Sequence, residues 1–409
     1  NTTGYNNTAI GSYALNTNST GFNNTATGYQ ALHLNTTGSE NTGYGINSLY
    51  ANITGINNTA TGSYSLQSNT TGGYNTATGV RSLYLNSTGG FNTATGYQSL
   101  YSNTTGNNNS AYGFSAMFDN TTGSGNTAYG YSALANNTTG NSNTVSGVDA
   151  MFSNTTGFFN AAYGSGALFF NSSGNSNVAT GNNSLPANTS GFQNTAVGVN
   201  SILLNSTGAY HTAVGFNTGP NTTNLFNTTS IGIDATCTGT DMVRIGNTFV
   251  GSIGGFQNWT NVSDGRFKEN VKEDIPGLSF IRLLRPVSYQ LNRDKINDMS
   301  GIYERRKKIT DSIKNKADLP VFLTGDKYSE VTTGFIAQEV EAAAKKTGFN
   351  FSGIDKPKND KDFYGLRYAE FVVPLVKGMQ EQQVIIEEQQ KNMDIQKKRI
   401  DELEKIIKE

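Results

Sequence analysis

The run Asn120-Thr121-Thr122-Gly123-Ser124-Gly125-Asn126-Thr127-Ala128-Tyr129-Gly130-Tyr131-Ser132-Ala133-Leu134-Ala135-Asn136 is one copy of a unit that occurs thirteen times between Asn1 and Gly215. Its first glycine recurs from Gly4 through Gly21 and Gly38 to Gly208, always 17 residues apart. A second glycine keeps the same step from Gly11 to Gly215, and a small residue, usually alanine, stands two places before it. A large apolar residue keeps it too: Leu15, Leu32 and Leu49 through Met117 and Met151 to Ile202. Self-similarity at a fixed short period is the signature of a repeat architecture.

Glycine appears twice or more per unit, and Asn, Thr and Ser fill most of the rest. That composition disfavours helix and suits turns that join short extended pieces. One unit holds too few apolar residues for a core of its own, so units must stack Ala on Ala, Leu on Leu and Asn on Asn. The expected fold of residues 1–215 is therefore a parallel β-solenoid or β-roll, about 60 Å long if each unit is one rung of about 4.8 Å. The pattern resembles the repeated heads of trimeric autotransporter adhesins, parallel rolls in three-chain bundles whose usual period is shorter. With so few large apolar residues, three chains sharing one core is the expected arrangement, and a lone monomeric solenoid is the other.

Several repeat features admit a functional and a structural reading. The Asn-x-Thr/Ser sequons are formal glycosylation acceptors, yet they sit where turns and ladders are expected. Thr25-Ala26-Thr27 and its equivalents form threonine arrays like those of ice-binding solenoids, but Tyr44, Tyr112, Tyr129 and Tyr163 interrupt them. Aromatic residues such as Tyr13, Tyr29, Tyr97, Phe114 and Tyr131 offer either a platform for sugars or a satellite core. His33 and His211 lie in distant repeats, and the regular aspartates of calcium-binding rolls are missing, so neither a metal nor a cofactor is expected.

The net charge of −1 gives no argument for nucleic acid or an anionic membrane as partner. Up to Gly215 the charged residues are Glu40, Arg81, Asp119 and Asp149, so nearly all charge lies beyond residue 230. Cys237 is the single cysteine, which excludes an internal disulfide framework. No apolar run has the length of a membrane span. The chain opens at Asn1 in mid-repeat, which reads as the distal part of a longer protein.

Past the repeat, residues 216–262 keep a degenerate rhythm and read as a neck that caps the rod, sealed by Trp259. Residues 263–371 read as a mixed α and β domain: a short helix before Leu284, a strand over Pro286–Leu291, a charged exposed helix or insertion over Asn292–Leu319, and a helix over Ile336–Lys346. From Val372 to Glu409 a heptad runs through Val372, Met379, Ile386, Met393, Ile400 and Ile407, with Leu375, Gln382, Gln389, Gln396 and Leu403 on the second seam. A coiled coil follows, as a trimer or a dimer on the heptads alone.

At the boundary stands Ser263-Asp264-Gly265-Arg266-Phe267-Lys268. Serine becomes a nucleophile when a base takes its proton, and a lysine whose pKa is lowered by burial can be that base. Together with Leu283-Leu284-Arg285-Pro286-Val287-Ser288-Tyr289 and Gly334-Phe335-Ile336-Ala337-Gln338-Glu339-Val340, in that order, this stretch resembles the intramolecular chaperone domain of phage tail spikes and fibres, the S74 self-cleaving peptidase family. The resemblance implies that Ser263 is the nucleophile and Lys268 its general base, that the domain helps three chains fold together, and that it then cuts itself off beside Ser263. The histidine that some members carry shortly after the lysine has no counterpart here. The resemblance points to the Ser263–Asp264 bond, whereas attack on the preceding bond is easier to draw. The expected protein is an extracellular homotrimeric fibre, a phage tail fibre or spike that attaches to a host glycan or protein receptor. A bacterial trimeric surface adhesin with the same chaperone, or a glycan-binding or ice-binding solenoid, is the alternative.

Overall fold

The computed structural model describes residues 2–254, 260–312 and 326–408; Trp259 and the end of the Asn292–Leu319 segment lie outside them. Two compact units form, one of residues 1–250 with 300–323 and one of residues 251–299 with 324–409.

In the first unit each repeat contributes one three-residue strand, from β1 (Thr8–Ile10) to β13 (Thr212–Val214). Consecutive strands pair in parallel with a strict step of one unit, as in Thr8↔Thr25 and Thr195↔Thr212. After β14 (Gly219–Pro220) come β15 (Thr228–Ile231), β16 (Thr236–Cys237) and β17 (Met242–Ile245), and β15 and β17 extend the sheet to fifteen strands. The neck therefore continues the solenoid, with β14 and β16 forming a second small parallel ladder beside it. Its last step is shorter, since Thr229 pairs with Val243.

The core is closed within one chain. The alanine column (Ala26 to Ala213) and the leucine column (Leu32 to Ile202) have no exposure to solvent. This corrects the expectation of a core shared by three chains. The filling that apolar residues do not supply comes from asparagine. Asn137 Nδ2 donates to Asn120 Oδ1 at 2.7 Å and to the Gly140 carbonyl at 2.9 Å, and the same pair of bonds repeats from Asn35 to Asn205. A second ladder runs through Asn126 and Asn143, whose Nδ2 groups donate to the preceding asparagine's Oδ1 at 3.2 and 3.1 Å. A buried amide is tolerable when its donors and acceptor are paired, and stacking identical turns pairs them all along the axis. The asparagines of the Asn-Thr-Thr-Gly sequons are these buried rungs, which favours their structural reading.

Tight turns need left-handed backbone. Gly113 has φ 136° and a Cβ there would collide with the carbonyl of Gly130 one turn on, so this column admits glycine alone. The leucine column is also left-handed, with Leu134 at φ 56°. That conformation costs about 1–2 kcal/mol, whereas full burial of the side chain contributes about 1.5–3 kcal/mol, so burial wins.

Helix α1 (Leu278–Ile281), strand β18 (Val287–Tyr289) and helix α2 (Arg293–Met299) precede α3 (Ile302–Ser312), which folds with the solenoid. The sequence reads α3 as a solvated face; instead Ile302, Arg305 and Ile309 are buried. Arg305 Nη1 donates to the Gly219 carbonyl at 3.3 Å and Nη2 to the Thr236 hydroxyl, one group from each strand of the small ladder. Arg306 forms a 2.6 Å ion pair with the fully buried carboxylate of Asp234. Burial pulls Arg305 down to about 10, so it stays charged at neutral pH. Arg305 thus ties the two strands of the small ladder together.

Two outcomes are expected. Asn137→Ala removes two donated bonds and leaves the Asn154 amide with only its bond to the Gly157 carbonyl, so the shaft should lose on the order of 3 kcal/mol and its thermal midpoint should fall; an unchanged midpoint would show that the ladder is ornamental. His211 occupies the asparagine column, is buried, and accepts or donates a 2.8 Å bond with Thr228. Burial lowers its pKa from 6.5 to about 4. The unfolded chain then binds the proton first, so stability is full above about pH 6.5 and declines as pH falls toward 4, by up to about 3 kcal/mol. His211→Asn should lose less melting temperature between pH 7 and pH 4.5 than the parent; equal losses would remove His211 from the account.

Candidate functional site

The Ser-Asp-x-Arg-x-Lys spacing is explained by one 3-10 turn, Gly265–Phe267. Asp264 caps it: Oδ1 accepts from the Arg266 amide at 2.9 Å while Oδ2 accepts from Arg266 Nε at 2.9 Å. The guanidinium holds the Asp264 carboxyl below the usual carboxylate range. The Lys268 amide closes the turn on the Gly265 carbonyl at 3.2 Å. Its side chain thereby returns to Ser263, with Nζ 2.8 Å from Oγ. Nζ is the donor in this contact; a lysine acting as base needs the reverse, with Oγ donating, at the same distance. Both residues are exposed in the single chain.

The other two motifs build the frame of the second unit. Strand β18 pairs antiparallel with β19 (Thr332–Gly334), placing Val287 opposite Gly334 and Tyr289 opposite Thr332. Arg285 reaches Glu339 on α4 (Ala337–Thr347) through both Nε, at 3.1 Å, and Nη2. This exposed pair keeps the Glu339 carboxyl below its ordinary range. Phe335 donates its amide to the Tyr368 hydroxyl at 3.0 Å, and Gly334 leaves room for that hydroxyl where a Cβ would strike it. Phe280, Val340, Phe351 and Phe371 form the core, with the Phe351 and Phe371 rings 4.7 Å apart. The hairpin β20 (Ile354–Asp355) and β21 (Gly365–Leu366) lies beside it, and the 37-residue helix α5 (Val372–Lys408) leaves the core. The Glu381 carboxylate on α5 caps α1 through the Leu278 amide at 2.7 Å. Both heptad seams beyond this point, Ile386, Met393, Ile400 and Leu403 among them, are exposed.

In the first unit the aromatic residues stack on one another. Tyr84, Tyr101 and Phe118 form a ladder with centroids 5.0 and 4.9 Å apart and nearly parallel planes. Tyr97, Phe114 and Tyr131 form another, spaced 5.1 and 5.2 Å. The half-buried Tyr84–Tyr101–Phe118 ladder favours the satellite-core reading, whereas Tyr97, Phe114 and Tyr131 stack on one another and stay exposed. His33 stacks on Tyr50 at 5.3 Å, far in sequence from His211, so the two histidines are not brought together. Sequence reasoning missed Arg305 and Arg306, whose signal is a paired arginine in a charged stretch and one of the two aspartates of the neck, Asp234, the other being Asp241.

These features define a class: a long β-solenoid of short identical rungs followed by an α+β unit that carries a serine-lysine turn and a long terminal helix. Residues 263–349 match the Peptidase S74 family model, described as chaperone of endosialidase. The chain thus carries that chaperone domain after its solenoid, an arrangement consistent with a tail-fibre-like or spike-like protein. No curated protein and no solved structure matches the chain. Among the described residues no helix is long and apolar enough to cross a membrane.

Gly334→Ala should destabilise the C-terminal unit by about 2 kcal/mol through displacement of Tyr368, lowering its melting transition and leaving the shaft's in place. If the C-terminal transition stays put, Gly334 has another role.

Proposed function

We propose that this chain is the shaft and assembly segment of an extracellular homotrimeric fibre, a phage tail fibre or spike used in host attachment, whose C-terminal domain aligns three chains and then severs itself at the Ser263–Lys268 turn. The observation that carries the reading is an S74 chaperone match directly after a solenoid of near-identical rungs. Rungs that resemble their neighbours can pair one unit out of step at little energetic cost, so a separate element must set the register. Helix α5, with its apolar seam and its glutamine-containing second seam both exposed, is suited to bring three chains together in parallel. Helix α3, inside the matched segment yet folded onto the last strands, is suited to hold the first turns on which the rest stack.

In a cut before Ser263, Lys268 Nζ takes the proton of Ser263 Oγ, Oγ attacks the Val262 carbonyl, the Ser263 nitrogen leaves carrying the proton returned by Nζ, and water hydrolyses the ester. In a cut of the Ser263–Asp264 bond, Oγ attacks Ser263's own carbonyl, the Asp264 nitrogen leaves with that proton, and water opens the four-membered lactone. The turn is exposed in the single chain, and in this reading neighbouring chains enclose it, so cutting follows assembly. Removing the clamp closes the route by which the shaft formed and leaves it kinetically trapped. A bacterial surface adhesin with the same chaperone is the second reading, favoured by the likeness of the repeat to adhesin heads.

A denaturing gel tests this directly. Wild-type chain should give two pieces parted near residue 263, and Ser263→Ala or Lys268→Ala a single one. A cut Ser263→Ala chain would refute the nucleophile assignment.

A further inference from the structure

The outer face of the fifteen-stranded sheet is a long regular surface to which the chaperone reading assigns nothing. It consists of the first and third residue of each strand and the residue that follows the turn glycine, two places beyond the strand. From Thr8 to Phe216 none of these positions is charged. The four charges of the repeat lie elsewhere: Glu40 stands two residues before its strand, Arg81 and Asp149 three residues after theirs, and Asp119 in the far part of its turn. Toward the C-terminal end the face changes from threonine to β-branched apolar side chains. Val197, Val199, Val214, Ile231, Val243 and Ile245 are all exposed there, Val243 at 68 %.

We infer that this face is where two further copies of this chain pack, parallel and in register, with contact beginning at its C-terminal end. The inference rests on the trimer reading and names the surface that reading requires. In a parallel bundle of identical rungs each residue near the axis meets its own copies, so any charge would meet a like charge; a face used this way must be uncharged, whereas one that recognises an unlike partner has no such restriction. Pleated surfaces of β-branched residues pack face to face. The strip is about 15 Å wide and about 65 Å long by strand and rung spacing, roughly 1,000 Å² per chain, or about 500 Å² toward each of two neighbours, below the roughly 800 Å² per partner of a stable two-chain interface, so α5 adds the remainder. Ice is a poorer occupant, because Tyr44, Tyr129 and Tyr163 stand out of the threonine array.

Cysteine cross-linking on the full chain tests the assignment. Cys237 is buried and burial raises its thiol pKa, so the parent chain is the blank. Val199→Cys and Val214→Cys replace exposed side chains, and Leu85→Cys places an exposed thiol seven residues beyond its strand. With a short bis-maleimide, Val199→Cys and Val214→Cys should each give a two-chain band on a denaturing gel and Leu85→Cys only a single chain. Light scattering on the parent separates the two levels of the argument. A trimeric parent whose Leu85→Cys variant cross-links while the valine variants do not would overturn the face and keep the trimer; a monomeric parent would overturn both.

Discussion

The amide-to-amide hydrogen bond between asparagines one turn apart is the interaction on which the shaft depends. Each asparagine donates to the one before it, accepts from the one after it, and ties its own turn through a glycine carbonyl. An interior built this way needs no large apolar cluster, and it is satisfied only while the neighbouring turn carries the same residue at the same height. The strict period is thus enforced by bonding geometry as much as by packing. Glycine, alanine and leucine columns then fill the space that the amides leave.

The two ends of such a ladder are where its chemistry changes. Near the C-terminal end the asparagine column passes to His211 and then Thr228, while Arg305 of α3 meets a carbonyl and a hydroxyl of the small ladder. The charged pair of Arg306 and Asp234 lies there as well, shielded from solvent. A solenoid with polar groups along its axis must be closed with polar groups. The chain draws them from a segment that lies beyond the serine-lysine turn in sequence, so one stretch of polypeptide serves the shaft's end while its flanks serve the chaperone core.

Much of this was legible in the sequence. The 17-residue period gave one rung per unit, the alanine and leucine columns gave the core, and the heptads gave the long helix. What was misjudged followed from hydropathy. Asparagine ranks as a surface residue, so its columns were not credited as core, and a shared three-chain core was invoked to make up the deficit. The docking of α3 was hidden because a buried arginine differs from a solvated one only by partners that lie some seventy residues away, Asp234 and Thr236. The serine-lysine pairing was readable from its motif, but the reason for the five-residue separation was not: it is the length of a 3-10 turn capped by Asp264.

The uniform step between strands also bears on how such a chain can change over generations. Because every turn makes the same bonds upward and downward, removing or duplicating one whole unit leaves every remaining contact of the same kind, whereas a gain or loss of any other size takes the asparagine columns out of step. Reach is therefore adjustable in fixed increments of one turn, without redesign of either terminus, and recombination between near-identical units supplies those increments readily.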